Sequence, residues 1–214
     1  MLLALAKKLY LPQLETLHKK GREALTGIDL HNKTIGIIGA GNIGKHAIRS
    51  ASGFGMRIKV FDIHQDKMLS EVLGYSYVSM DELLKTSDII SLHVPLNKHT
   101  YHLINNEAIK KMKKGVIIIN TARGEVIDTE ALYKGLLARK ISGAALDVIE
   151  EESKLIEQKG AKVSRTIKKL LEHKNVLYTP HNAYNTSEAL YRIFETTCEN
   201  INAFMKGSPI NVVF

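Results

Sequence analysis

Short apolar runs rich in β-branched residues alternate along this chain with segments of helical periodicity. TIGIIG (34–39) ends at a glycine and reads as a buried strand, and residues 42–52 read as the helix behind it. RIKVFD (57–62) is a second strand, 65–73 a short helix, and YSYV (75–78) a short third strand. Ser79 and Glu82 have capping-box spacing, which starts another helix. IISLHV (89–94) is a strand stopped by Pro95, and 105–114 a helix ending at Gly115. VIIINTAR (116–123) is a further strand, after which Asp128 caps a helix reaching about Lys140. GAALDVI (143–149) and NVLYT (175–179) complete the series. Strands alternating with helices predict a doubly wound α/β domain, its parallel sheet covered on both faces.

The two ends of the chain differ from this pattern. A first helix is expected from about Leu2 to Leu17, with Leu and Ala on one side and Lys on the other. Asn185 and Glu188 again have capping-box-like spacing and open a helix to about Lys206, with Leu190, Ile193, Phe194, Ile201 and Phe204 on one face. The expected division is 1–181 for the doubly wound domain with its leading helix, and 182–214 for the C-terminal helix.

Composition narrows the class. Of 214 residues 44% are apolar and 24% charged, as in a globular protein with a sizeable core. The single Cys198 leaves no internal disulfide and no cysteine pair with metal-ligand spacing, which fits a reducing compartment and predicts a cytoplasmic protein. MLLALAKKLY has its basic residues after the apolar run, the reverse of a signal peptide, and no apolar stretch approaches the ~20 residues that span a bilayer. The net charge of +8 is concentrated in Lys154, Lys159, Lys162, Arg165, Lys168, Lys169 and Lys174. Apolar residues recur among them at helical spacing and no aromatic residues interleave, so a solvated helix face is expected rather than a nucleic-acid surface. The histidines His18, His31, His46, His64, His93, His99, His102 and His173 show no metal-ligand pairing and read as surface or core residues, and no metal is expected.

Gly39-Ala40-Gly41-Asn42-Ile43-Gly44 fits G-x-G-x-x-G between a predicted strand and a predicted helix. The first glycine permits the tight turn, the second lets the backbone approach a pyrophosphate at the helix N-terminus, and the third lets helix and strand pack closely. Asp62 ends the next strand, where a carboxylate accepts hydrogen bonds from an adenosine ribose. No Arg follows it in Ile63-His64-Gln65, which favours NAD over NADP, although Lys67 stands nearby.

Ligands of such sheets bind at the carboxyl ends of the strands, where Arg123, Asp147 and His181 lie, with Glu152 just beyond Asp147. From the residues alone each has two readings. Arg123 is an exposed loop residue or a fork for a carboxylate. His181 belongs to a turn behind Pro180, or it is a proton donor. Glu150, Glu151 and Glu152 form a solvated run, or one of them faces His181.

The ordered blocks TIGIIGAGNIG, SGFGMRIKVFD, HVPLNKHTYHLI, MKKGVIIINTARGEVIDTEAL, ISGAALDVIEEE and NVLYTPHNAYNT resemble the D-isomer-specific 2-hydroxyacid dehydrogenases. The resemblance implies a Rossmann-type NAD-binding domain and the interconversion of D-2-hydroxy acids and 2-oxo acids. It implies that Arg123 binds the carboxylate and carbonyl of the 2-oxo acid. His181 is the implied acid/base, Glu152 its hydrogen-bond partner, and Asp147 the residue near the nicotinamide carboxamide. Val94, Pro95, Thr121 and Ala122 are implied as the cofactor wall, beside Gly39, Gly41, Asn42, Ile43, Gly44 and Asp62. Ser153 stands where the family usually has Pro, and Asn97 where Thr is common. The family's substrate domain precedes the first helix seen here, so the expected chain is the cofactor domain without it. A homodimer is also implied. The competing reading is a catalytically inactive NAD-binding or dimerisation protein of the same descent. In either case, exposed apolar faces on the first and last helices are expected to favour self-association.

Overall fold

A computed structural model describes residues 1–11, 13–156 and 163–212. Lys159 and Lys162 of the basic segment lie outside the described residues.

The elements follow in the order α1 (Leu2–Ala6), α2 (Gln13–Lys20), β1 (Thr34–Ile38), α3 (Asn42–Gly53), β2 (Arg57–Phe61), α4 (Lys67–Leu73), β3 (Ser76–Tyr77), α5 (Met80–Thr86), β4 (Ile89–Leu92), α6 (Asn106–Lys111), β5 (Val116–Asn120), α7 (Thr129–Leu137), β6 (Ile141–Leu146), α8 (Glu152–Ile156), α9 (Arg165–Leu171), β7 (Val176–Tyr178) and α10 (Ser187–Met205). The strands form a seven-stranded parallel sheet in the order β3-β2-β1-β4-β5-β6-β7. The order reverses direction between β1 and β4, and a doubly wound sheet opens its ligand crevice at such a switch point.

Alternation along each strand feeds two cores. Ile117 and Ile119 of β5 join Leu5 and Ala6 of α1 and Ile48 and Ala51 of α3 on one face. Val116 and Ile118 join Leu83, Ile109, Leu132 and Leu170 on the other. Each fully buried Ile or Leu contributes about 1.5–3 kcal/mol through removal of apolar surface from water. Side-chain caps set the helix starts. Asp66, Ser79, Asn105, Asp128 and Ser164 accept from Leu69, Glu82, Ala108, Ala131 and Ile167 respectively.

The ends depart from the sequence pattern in two places. The expected helix over Leu2–Leu17 is instead α1 and α2, with Lys8 between them in left-handed backbone at φ 52°. The sequence reason is Pro12, which has no N–H to donate and disfavours helical backbone at the residue before it. Leu5 and Ala6 are buried, so the apolar side of α1 is largely consumed by the core. The cap of α10 is Thr186, accepting from Ala189 N, rather than Asn185, which donates to Asn182 Oδ1.

The chain forms two compact units, Met1–Pro180 and His181–Phe214. In the second, α10 has no buried residue, and Leu190, Ile193, Phe194, Ile201 and Phe204 are all exposed. In the basic segment, α9 buries Ile167 and Leu170 and leaves Lys168 and Lys169 outward, which is the solvated face expected. No helix of the described residues is long and apolar enough to cross a membrane.

Candidate functional site

The glycine loop takes its shape from what surrounds it. Gly39 has φ 95°, a left-handed conformation, and a Cβ there would stand 2.6 Å from the His93 carbonyl oxygen. At Gly44, on the first turn of α3, a Cβ would stand 2.0 Å from the Gly39 carbonyl oxygen. Gly41 is the contrary case, since a Cβ there would meet nothing within 4 Å. Steric crowding inside the fold therefore explains the first and third glycines. The second faces open space, which is what close approach of a pyrophosphate requires.

Two clefts flank this loop in the first unit. One, of about 360 Å³, is lined by Ile43 on the first turn of α3, His93, Val94, Pro95 and Leu96 after β4, and Thr121, Ala122 and Arg123 after β5. The other, of about 270 Å³, is lined by Ala40, Gly41, Lys45, Asp62, His64, Gln65, Asp66 and Tyr77. Asp62 accepts from Ala40 N at 2.5 Å and from His64 N at 2.8 Å. Its carboxylate thus pins the glycine loop to the end of β2, on the wall of the second cleft. Asn42 opens α3, and Ile43 is exposed into the first cleft. The predicted cofactor residues Gly41, Ile43, Asp62, Val94, Pro95, Thr121, Ala122 and Arg123 line the two clefts between them. Both clefts open at the carboxyl ends of the strands, beside the switch point where a doubly wound sheet binds its ligand.

Arg123 is exposed, and its Nη1 donates to Ala122 O at 2.6 Å. Its backbone is held by Asn120, a fully buried side chain at the end of β5. Nδ2 of Asn120 donates to Arg123 O at 2.8 Å, and its Oδ1 accepts from Ala122 N at 3.0 Å. Asp147 is also buried, and the Thr179 hydroxyl donates to its Oδ1. Glu152 opens α8. Burial, then the nearby charges of Glu152 and Asp147, push the Tyr178 hydroxyl up, so it stays protonated at neutral pH. His181 begins the second unit in left-handed backbone at φ 49°, with its ring edge-on to Tyr184 at 6.4 Å between centroids.

Three contributors were not singled out from the sequence. Asn120 carries a local signal, a polar residue closing an otherwise apolar strand that runs into a turn. Tyr178 carries none. His93 reads as an ordinary core or surface histidine, yet it lies in the larger cleft with Nε2 2.9 Å from the Ser91 hydroxyl. Burial pushes its imidazole down to about 4, so it is neutral at physiological pH. Among the described residues no group of His, Cys, Asp and Glu could hold a metal ion.

Residues 1–183 match the family described as D-isomer specific 2-hydroxyacid dehydrogenase, NAD binding domain. The D-lactate dehydrogenase of Escherichia coli K12 is 42% identical over 188 residues, covering 86% of this chain and 57% of that protein. The glyoxylate reductase of Korarchaeum cryptofilum is 40% identical over 190 residues, covering 88% and 54%. The structure of Aquifex aeolicus D-lactate dehydrogenase complexed with NAD and lactic acid superposes with a TM-score of 0.88 at 42% identity, covering 97% of this chain and 64% of that one. The chain spans about half the length of the curated relatives it matches. A Rossmann-type sheet, a glycine loop open at Gly41 and a match over the whole first unit agree: the chain belongs to the D-isomer specific 2-hydroxyacid dehydrogenase family, as its NAD-binding domain.

Proposed function

We propose that this chain serves an NAD-dependent dehydrogenase that interconverts D-2-hydroxy acids and 2-oxo acids. The observation that carries the reading is the Arg123 guanidinium on the cleft lined by Ile43, Val94, Pro95, Thr121 and Ala122. A two-pronged cation on the cleft where the nicotinamide is expected supports this reading. Held along the clefts lined by Gly41, Asp62, Val94 and Thr121, NAD would supply or accept the hydride at the carbon bearing the oxygen. Arg123 holds the substrate carboxylate and polarises the carbonyl oxygen through charge-assisted hydrogen bonds. His181 gives its proton to that oxygen as it becomes an alkoxide, and takes it back in the reverse direction. Glu152 orients the imidazole, and Asp147 would hold the nicotinamide carboxamide. Support for the roles of His181, Glu152 and Asp147 comes from the sequence blocks NVLYTPH and ALDVIEEE. A cytoplasmic setting fits the single Cys198. A homodimer fits the family resemblance, and a strictly monomeric species at micromolar concentration in sedimentation would count against it.

Titration with NADH, followed by assays on pyruvate, hydroxypyruvate and glyoxylate, tests the reading. Saturable NADH binding by calorimetry, with turnover on one of these acids, is expected. Binding without turnover on any of them favours the binding-only alternative, and absence of binding overturns both.

A further inference from the structure

Glu150, in the acidic run EEE, is the junction of three loops at the carboxyl ends of the strands. Its Oε1 lies 2.7 Å from His102 Nε2, on the loop after β4. Its Oε2 accepts from Thr129 N at 2.8 Å, at the first turn of α7. Both side chains are mostly buried, with 21% of Glu150 and 29% of His102 exposed. The Tyr101 ring stacks on the His102 imidazole at 4.0 Å between centroids and 15° between planes, which fixes the ring's orientation.

The backbones around this pair are equally interlocked. His102 N donates to Glu125 O at 2.8 Å, Ile104 N to Val126 O at 3.1 Å, and Asp128 N to Ile104 O at 3.1 Å. Gly124 sits directly on the third loop, since a Cβ there would stand 2.1 Å from the Ile149 carbonyl carbon and 2.5 Å from Glu150 N. Arg123 is thus one residue from a backbone contact with Glu150, and Glu152 is two residues beyond it. Between them Glu151 adopts left-handed backbone at φ 57°, and its carboxylate accepts from Ser164 N at 3.3 Å. Such a conformation is unfavourable for a non-glycine residue and persists only where neighbours over-determine it.

We propose that Glu150 and His102 are a pair of positioning residues, locking the loop after β6 to the loops after β4 and β5 and so setting where Glu152 stands relative to Arg123. The chemical part of this inference rests on the function proposed above, whereas the mechanical part does not. A solvated acidic run would leave both Glu150 oxygens to water; here each has a protein donor on a different loop.

The test compares the unaltered chain with Glu150→Ala, Glu150→Gln and His102→Gln by hydrogen exchange, NADH titration and 2-oxo-acid saturation kinetics. Glu150→Ala is expected to speed amide exchange in 124–129 and 149–154 together while β1 and α3 keep their protection. The KM for the oxo acid should rise about tenfold, in keeping with a small misplacement of positioning groups. NADH affinity should stay unchanged. Glu150→Gln, which keeps one acceptor and gains a donor, should recover most of the loss. Unaltered exchange in 149–154 in Glu150→Ala would overturn the proposal. So would a parallel loss of NADH and oxo-acid binding, which is the mark of general unfolding. If the unaltered chain turns over no oxo acid, the proposed activity falls, and the exchange pattern alone still decides the clamp.

Discussion

The buried Asn120 amide holds the backbone of Arg123, donating to its carbonyl oxygen at 2.8 Å while accepting from Ala122 N at 3.0 Å. A neutral side chain with no exposure thereby shapes the turn that presents the cleft's guanidinium. Replacing Asn120 with Ala leaves the buried Ala122 N–H without its partner, at a cost of about 1–3 kcal/mol, while Arg123 O keeps the bond from Val126 N at 3.3 Å. Urea unfolding should show a loss of about 1–3 kcal/mol in that variant. Asn120→Asp should keep the bond from Ala122 N and lose only the one to Arg123 O. Equal stability of Asn120→Ala and the unaltered chain would refute this account.

The glycine loop supplies a matched pair of opposite outcomes. Gly41→Ala adds a methyl group to open space and should unfold at the same temperature as the unaltered chain, with weaker NADH binding. Gly44→Ala pushes a methyl group into the Gly39 carbonyl and should lose several degrees of Tm before any cofactor is added. Thermal melts with and without NADH separate the two. The reverse ranking would mean that the loop is misread.

His93 makes stability depend on pH. Its folded imidazole is pushed down to about 4 from 6.5 by burial, so below 6.5 the unfolded chain binds the proton more readily than the folded one. Stability from this group is complete above pH 6.5 and is lost as pH falls toward 4, by at most about 3 kcal/mol at 1.36 kcal/mol per unit. His173 is pushed down as well, by burial first and then by Lys174, and adds in the same direction. Urea denaturation at pH 4, 5, 6 and 7 should give a shallower slope for His93→Asn. Parallel curves for the two proteins would remove His93 from the explanation.

Arg123→Lys keeps the charge and loses the fork. If the fork grips the substrate, oxo-acid binding should weaken about 10–100-fold, the equivalent of one or two charge-assisted hydrogen bonds, with NADH affinity retained. A variant with unchanged KM and kcat would remove Arg123 from the substrate site.

Much of the fold could be read from β-branched runs such as VIIIN and from caps at Ser79 and Asp128, because strand burial and N-capping are local properties. The same locality explains what escaped. The split between α1 and α2 turns on Pro12, which apolar periodicity alone does not weigh. The contact of Glu150 with His102 spans 48 residues, and no spacing rule links a histidine in KHTYHL with the first acid of EEE. Residue type placed Gly41, Asp62 and Arg123 at the clefts because their chemistry is tied to strand ends. The burial of His93 arises only when the loop after β4 meets the glycine loop, and Gly39 stands against its carbonyl.

The sheet is seven strands wide but ends on each side in a short one, Ser76–Tyr77 at one margin and Val176–Tyr178 at the other. A neighbouring chain seeking to extend the sheet would find only two or three residues of backbone to pair with, too few to hold a strand in register. An amyloid-like route by strand addition is thereby disfavoured at both margins of the native sheet.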